Sequence, residues 1–135
     1  MAPDVFFRVY GKYFDRDDAV FPDGSPAGDS WWMNRVGFRV DAEPSGQETF
    51  TLQGDHYGGQ ERQSVGGVSR LSGGNLLGRW SGTSPSGTGM NLQLYYDRTY
   101  PYLPKEANAF APAGALIDNL DTFDLDFQHH FNLDG

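Results

Sequence analysis

The amino-acid sequence predicts an all-β fold, an antiparallel up-and-down meander of about six strands that forms a barrel or a barrel segment in one domain, residues 1–135. Polar and apolar residues alternate at every second position in six runs, and no stretch keeps a 3.6-residue period long enough for a stable helix. Phe, Tyr and Trp make up 15% of the chain, and these residues favour strands. The connections between the runs alternate between long and short, which is typical of a meander with all its long loops at one end.

The first three runs cover residues 6–15, 31–42 and 49–57. Successive side chains of a strand point to opposite sides of the sheet, so every second residue shares a face. One face of each run is therefore polar and the other apolar. The polar positions are Arg8, Tyr10 and Lys12, then Arg35, Gly37, Arg39 and Asp41, then Thr49, Thr51, Gln53 and Asp55.

The last three runs cover residues 75–81, 90–97 and 122–131. The run at 75–81 alternates least clearly and contains Leu76, Leu77 and Trp80. The other two again separate into two faces. Their polar positions are Asn91, Gln93, Tyr95 and Asp97, then Thr122, Asp124, Asp126, Gln128 and His130.

The connections predict loops of two kinds. Residues 16–30, 58–74 and 98–121 are long, polar and rich in Gly, Asp, Pro and Ser, whereas residues 43–48 and 82–89 are compact turns. A sheet with long loops at one end, short turns at the other and alternating strands of about ten residues is typical of outer-membrane barrels. A water-soluble antiparallel sheet with one buried face shows the same alternation and stays open as an alternative.

Two further features favour the membrane barrel. The polar faces carry charges of both signs, as a water-filled lumen would. Aromatic residues cluster at the strand ends, where an interfacial girdle is expected. These residues are Tyr13, Phe14, Trp31, Trp32, Tyr57, Tyr95, Tyr96, Tyr100 and Tyr102.

Composition excludes several function classes. The formal net charge of -8 disfavours binding to nucleic acid, because a negative surface repels a phosphate backbone. The chain has no cysteine, so disulfides, thiolate metal sites and cysteine nucleophiles are ruled out. It has no run of 18 apolar residues for a transmembrane helix. Its first residues have neither a basic nor an apolar leader segment, so we expect no export signal in this chain.

Six segments together resemble consecutive barrel strands of TonB-dependent outer-membrane receptors. The resemblance covers nearly the whole chain in strand order, and the loops are least alike. The segments are FRVYGKYFDRD at 7–17, WMNRVGFRVD at 32–41, FTLQGD at 50–55, GNLLGRWS at 74–81, LQLYYDRT at 92–99 and TFDLDFQHHF at 122–131.

The resemblance implies a barrel whose parent protein takes up a siderophore, cobalamin or a saccharide across the outer membrane, without catalysis. Such receptors carry a plug domain and a short N-terminal box, and we expect neither in this chain, nor the terminal strand that ends in an aromatic residue. Even the smallest membrane barrels need about 8 strands, so we expect a segment of a larger barrel. An isolated segment is expected to associate with itself through its edge strands.

The alternative is an autonomous small soluble β-protein with a metal-dependent or carbohydrate-active site on its polar face. His56 and His130 are the candidate metal ligands, since His129 and His130 are adjacent and point to opposite faces. Loop carboxylates could bind Ca²⁺, which takes six to eight oxygen ligands. The candidate carboxylates are Asp15, Asp17 and Asp18, which lack the spacing of an EF-hand.

A glycoside hydrolase needs two carboxylates about 5 to 9.5 Å apart, and Asp124 and Asp126 on one strand face fit that separation. If the chain were an enzyme, these would be its candidate catalytic residues. Aromatic rings at the loop end of the sheet could instead form a platform for a sugar or an aromatic siderophore. The candidate ligand-binding residues are Trp31, Trp32, Tyr57, Tyr100 and Tyr102.

Overall fold

The computed structural model describes residues 4–63, 67–105 and 112–131, and all of its strands belong to one antiparallel sheet. The prediction of an all-β antiparallel meander is confirmed. The described residues contain no helix that is long and apolar enough to cross a membrane. The strands are β1 (Asp4–Arg16), β2 (Trp31–Ser45), β3 (Glu48–Gln63), β4 (Gly67–Thr83), β5 (Gly89–Lys105), β6 (Gly114–Ile117) and β7 (Leu120–His130).

The seven strands fill six positions in the sheet, in chain order. The last position is shared, because β6 pairs with Tyr102–Lys105 of β5 and β7 pairs with Gly89–Thr99 of the same strand. Among the described strands, β1 pairs only with β2, and β6 and β7 pair only with β5. The described strands therefore form an open sheet that is not closed into a barrel.

Three of the strands extend well beyond their predicted ends. β3 continues to Gln63, β4 begins at Gly67 and β5 continues to Lys105. The prediction of long loops at 58–74 and 98–121 is therefore wrong for most of the described residues in them. Glycine does not prevent strand pairing when a neighbouring strand supplies the hydrogen bonds, and Gly58 pairs with Ser72 in this way. The first long loop, at 17–30, and the turns at 46–47 and 84–88 lie where the sequence predicts them.

Register sorts the side chains into rows across the sheet, since cross-strand partners share a face. What we call the apolar face carries three continuous rows, and the other side is the polar face. The first row is Val5, Ala42, Phe50, Trp80, Leu92 and Phe127; the second is Phe7, Val40, Leu52, Gly78, Leu94 and Leu125; the third is Val9, Phe38, Gly54, Leu76, Tyr96 and Phe123.

The sheet is a single layer without a core. No hydrophobic side chain among residues 4–63, 67–105 and 112–131 is buried, and the side chains of Phe7 and Phe123 are 79% and 70% exposed. Antiparallel sheets in water normally bury one face against a second layer. The described residues supply no second layer, so the apolar face needs a cover from outside them.

Candidate functional site

The polar face is organised around a tyrosine that crosses a neighbouring strand. Tyr10 of β1 lies over Gly37 of β2, and its hydroxyl donates a hydrogen bond to the Asp55 carboxylate on β3. Arg35 donates to both oxygens of the same carboxylate, with Nε at 3.1 Å from Oδ1 and Nη2 at 2.9 Å from Oδ2. A Cβ on residue 37 would lie 2.6 Å from Cζ of Tyr10. Glycine at this position therefore allows three strands to share one polar network.

A second tyrosine makes the same crossing nearer the loop end. Tyr57 of β3 lies over Gly73 of β4, and its hydroxyl is 3.1 Å from Oγ1 of Thr99 on β5. A Cβ on residue 73 would lie 2.7 Å from Cζ of Tyr57. Aromatic rings that cover a strand glycine help to fix strand register. The two crossings together tie β1 through β5 along the polar face.

The remaining contacts of the polar face are open ionic and amide pairs. Arg39 donates to Asp41 at 2.7 Å and 2.9 Å, and Thr51 donates to the same carboxylate at 2.7 Å. Arg79 donates to Oε1 of Gln93 at 2.6 Å and 3.0 Å. Exposed pairs of this kind add little stability, about 0–1 kcal/mol each. They keep the surface charged and hydrated, which suits a face that remains in contact with water.

An apolar groove lies at the loop end of the polar face. Its volume is about 420 Å³, and its walls include Trp31, Met33, Leu71, Pro101 and Leu103. The sequence singled out Trp31 alone of these residues, since Leu71 and Leu103 fall in segments predicted as loops. The sequence does contain a signal for Leu71 and Leu103. The alternation of strand residues continues past Tyr57 and Asp97, which are the predicted strand ends.

The structure divides the five predicted ligand-binding aromatics between the two faces. Trp31 and Tyr57 lie on the polar face, whereas Trp32, Tyr100 and Tyr102 lie on the apolar face. The five do not form one platform, although ligand binding by either group stays a prediction.

On the apolar face, Trp32, Tyr100 and Tyr102 lie with Tyr13 in two adjacent rows near the loop end. The rings of Tyr13 and Trp32 stack with centroids 6.5 Å apart. We call this set the upper aromatic rows, and its members are Tyr13, Trp32, Tyr100 and Tyr102.

A polar row separates the apolar rows from the upper aromatic rows. Arg98 pairs with Asp121 at 3.2 Å, and the hydroxyl of Tyr96 donates to the same carboxylate at 2.7 Å. The guanidinium of Arg98 also lies 4.6 Å from the ring centroid of Tyr100. His56 is in the same row. On β5 and β7 the apolar face therefore changes from hydrocarbon to polar character at this row, whereas on β1 and β2 the same row contains Gly11 and Val36.

The candidate histidine ligands lie far apart. His56 is on the apolar face, level with Arg98 through Gly74, whereas His130 is on the polar face opposite Gly89. Arg98 and Gly89 are nine positions apart on β5, or roughly 30 Å at about 3.4 Å per residue. The structure does not bring these two histidines together.

The loop carboxylates are engaged by backbone donors of their own loop. Asp18 accepts a hydrogen bond from the Ser30 N–H at 2.7 Å, and Asp29 accepts one from the Ala19 N–H at 2.7 Å. Asp15, in contrast, lies in β1 opposite Trp32, and Asp17 begins the loop. No group of three or more His, Asp or Glu residues that could hold a metal ion is found in the part of the chain that the structure describes. Calcium binding here stays a prediction.

The candidate catalytic pair lies on the outermost strand. Asp124 and Asp126 share the polar face of β7, opposite Tyr95 and Gln93, and both are exposed. Their spacing of two positions corresponds to about 7 Å between Cα atoms. No described strand lies beyond β7 to form the second wall of a substrate groove. The pair shares one strand face, and catalysis by it stays a prediction.

Comparison of the chain with protein-family models, with curated proteins and with solved structures finds no match. The functional argument therefore depends on the two faces of the sheet.

Proposed function

We propose that this chain is a segment of the wall of an outer-membrane β-barrel, similar to the barrel of a TonB-dependent receptor, whose parent protein takes up a siderophore, cobalamin or a saccharide. The observation that carries the proposal is the apolar face, whose three continuous apolar rows are mostly exposed and have no protein layer over them among the described residues.

Lipid is the cover that this face fits best. Removing a large apolar side chain from water contributes about 1.5–3 kcal/mol, so the exposed rows strongly favour an apolar surrounding. Hydrocarbon chains cover such rows without a complementary protein surface. Charged residues would be costly beside hydrocarbon; the three rows contain none, and the first charged pair, Arg98 with Asp121, lies in the next row.

The height of the apolar face also supports the proposal. Aromatic side chains border it at both ends, with Phe50, Trp80 and Phe127 in the first row and Tyr13 and Tyr100 eight positions further along the strands. Eight positions measure about 27 Å along a strand, or roughly 20 Å after a tilt of 35–45°. An outer-membrane barrel presents an apolar band of about 25 Å between aromatic girdles. The spacing of these two rows is close to that band, and the charged pair of Arg98 and Asp121 lies inside it, two positions from the Tyr100 border.

The polar face would then line the water-filled interior. Its ion pairs and its Tyr–Gly crossings need no cover, since both remain compatible with water. Near the loop end, Trp31 and the apolar groove offer a contact surface for the rings or acyl parts of an imported ligand. The proposed role of the chain is to form a wall and a passage, with no catalytic step.

Adjacent tryptophans allow a direct test of which face meets lipid. Trp31 and Trp32 lie at the same depth on opposite faces, and Trp80 lies within the apolar rows. Three variants would each keep one tryptophan and carry Phe at the other two positions. After folding into vesicles of brominated phosphatidylcholine, we expect strong quenching of Trp32 and Trp80 fluorescence. We expect Trp31 to be quenched by aqueous iodide instead.

The matched pair of Trp31 and Trp32 controls for depth and for folding. Equal quenching of the two by brominated lipid would contradict the proposal. So would a monodisperse monomer in water without detergent that shows fixed near-ultraviolet circular dichroism from its aromatic residues. In that case the apolar face would be covered by protein, as the soluble alternative requires.

A further inference from the structure

The two outer strand positions of the sheet each keep one free edge. β1 pairs on one side with β2, and β7 pairs on one side with β5; no other described strand approaches either. A free edge presents backbone N–H and C=O groups that another strand can pair with. Both outer strands are long, since β1 runs over Asp4–Arg16 and β7 over Leu120–His130.

The polar faces of these two edges carry opposite charge. On β1 the polar face presents Arg8, Lys12 and Arg16, with Asp4 at its far end, whereas on β7 it presents Asp124 and Asp126.

Among the described residues, neither the basic side chains of β1 nor Asp124 and Asp126 form an ion pair within the sheet, although the charge of Arg8 acts on Asp41 of β2. Arg8 lies directly opposite Arg39, and Lys12 lies opposite Arg35. Arg39 and Arg35 are themselves paired with Asp41 and Asp55, so an acidic neighbour on the free side of β1 would supply Arg8 and Lys12 with the ion-pair partner that β2 does not. Asp124 and Asp126 face the neutral Tyr95 and Gln93, which leaves the β7 edge open to a basic neighbour.

The apolar rows match across the same two edges. The three rows begin at Val5, Phe7 and Val9 on β1 and end at Phe127, Leu125 and Phe123 on β7. A second sheet placed beside β7 would continue all three rows at the same height. The six strand positions alternate in direction, so β1 of that second sheet would run antiparallel to β7 and present the same face.

We infer that isolated copies of this chain, in which no strand of a parent barrel occupies the two outer edges, pair head to tail, β7 of one copy with β1 of the next, in a register that brings Arg8 beside Asp124 or Asp126. Pairing of like edges would oppose cation to cation or carboxylate to carboxylate. Head-to-tail pairing is heterologous, so it produces either a closed ring or an open series of sheets. Two copies would supply twice the six strand positions, more than the 8 or so of the smallest barrels. The pairing depends on edges and charges, and not on what covers the apolar face.

Disulfide cross-linking tests the pairing cleanly, because the native chain has no cysteine. One variant would carry Arg8→Cys and another Asp124→Cys, and the two would be mixed in a non-ionic detergent and oxidised. Cross-strand partners lie within the 4.4–6.8 Å between Cα atoms that a disulfide spans. We expect disulfide-linked dimers in the mixture, and a ladder of oligomers from a chain that carries both changes. Asp126→Cys and Gln128→Cys, each mixed with Arg8→Cys, probe registers shifted by two and four residues.

Two controls test whether the cross-link depends on the face of the sheet and on the edge that pairs. Val9→Cys mixed with Asp124→Cys places the thiols on opposite faces, so we expect no link. Each cysteine variant alone reports pairing of like edges, and we expect little product from either.

Charge is tested with a second cysteine pair, Phe6→Cys and Asp126→Cys, which also serves if Arg8→Cys fails to fold. Adding Arg8→Asp to the first chain is expected to lower the cross-link yield about two- to fivefold, the range for one cross-strand ion pair. Asp124→Arg in the partner copy is expected to restore it.

The inference is overturned if like-edge products dominate, or if Arg8→Cys links to neither Asp124→Cys nor Asp126→Cys in chains whose circular dichroism shows the native strand content; a link to Gln128→Cys alone would also contradict the register. A failure of cross-linking would leave the lipid-quenching result untouched. The two proposals therefore fail separately.

Discussion

Two glycines set the geometry of the polar face. Gly37 and Gly73 lie beneath the rings of Tyr10 and Tyr57, and each ring passes over its glycine to reach the next strand but one. Any larger residue at either position would collide with the ring. The hydrogen bond from Tyr10 to Asp55 and the contact of Tyr57 with Thr99 therefore both require a glycine beneath the ring.

Replacement of Gly37 by alanine tests this dependence. The new Cβ would lie 2.6 Å from Cζ of Tyr10, so either the ring or the strand must move. We expect Gly37→Ala to lower the free energy of unfolding by about 1–3 kcal/mol, the usual cost of overpacking. Gly78→Ala is the matched control, because a Cβ there meets no atom within 4 Å, and we expect a change within about 0.5 kcal/mol. Urea unfolding in detergent, followed by tryptophan fluorescence, measures both; equal losses would count against the ring-over-glycine contact.

The sequence predicts which face a residue occupies far better than which residues meet. A period of two places Arg8 and Tyr10 together as soon as a strand is recognised. The contact between Tyr10 and Asp55 depends on the register of three strands, which no local pattern contains. The five candidate ligand-binding aromatics do not form one surface, and the reason is simpler. Trp31 and Trp32 are adjacent in one strand, and adjacent side chains must point to opposite faces.

At the scale of the elements, the sequence predicts β3, β4 and β5 to be shorter than they are, because their outer parts are rich in residues that are common in loops. Gly and Ser residues at 58–74 favour a loop when each residue is considered alone. In the sheet, β3 and β4 pair continuously from Glu48 with Gly82 to Gln63 with Gly67. A ladder that is already established continues at low cost, and Tyr57 covers Gly73. Pairing between strands therefore overrides local preference here, as it often does for β-structure.

The loop at 17–30 depends on ionised carboxylates. Hydrogen bonds from Ser30, from its side chain first and then its backbone N–H, hold the pKa of Asp18 below its usual value. Ser25 lowers the pKa of Asp23 in the same way, by its side chain and then its backbone. The loop also connects to β3, since the N–H of Arg62 donates to the Ser30 carbonyl at 2.8 Å. Its order should therefore depend on pH.

The sign of this dependence follows from the lowered pKa values. An aspartate titrates near pH 3.9 in the unfolded chain, so its contribution is fully present above about pH 4 and is lost as the pH falls through the lower folded value. We expect the hydrogen-exchange protection factor of the Ser30 amide to stay constant from about pH 7 to 5 and to fall below about pH 4. Asp18→Asn should abolish that dependence at Ser30 while Ser25 keeps its own. An unchanged profile at Ser30 in the variant would show that Asp18 does not hold the loop.

For the molecule as a whole, alternation alone predicts a sheet with one apolar face but cannot say what covers it. The same pattern arises in a soluble sandwich and in a membrane barrel. The structure adds that the described residues supply no second layer and that both outer edges are free. The sequence also does not predict that β6 and β7 share the last strand position, because Gly114–Ile117 falls in a segment predicted as loop. An uncovered apolar face and free outer edges are what the proposed barrel wall would require.

Arginine placed on either face of one strand separates a lipid-facing surface from a water-facing one. Leu94 lies in the middle apolar row, and Asn91 lies on the polar face of the same strand opposite Ser81 and Gln128. In phosphatidylcholine vesicles we expect Leu94→Arg to lower the free energy of unfolding by about 1–3 kcal/mol, because Leu94 lies two positions inside the aromatic border, between the interface and the bilayer midplane. Asn91→Arg should change it by no more than about 0.5 kcal/mol, since its side chain reaches water. Urea titration of vesicle-embedded protein measures both. Similar losses for the two variants, or none for Leu94→Arg, would mean that lipid does not cover the apolar face.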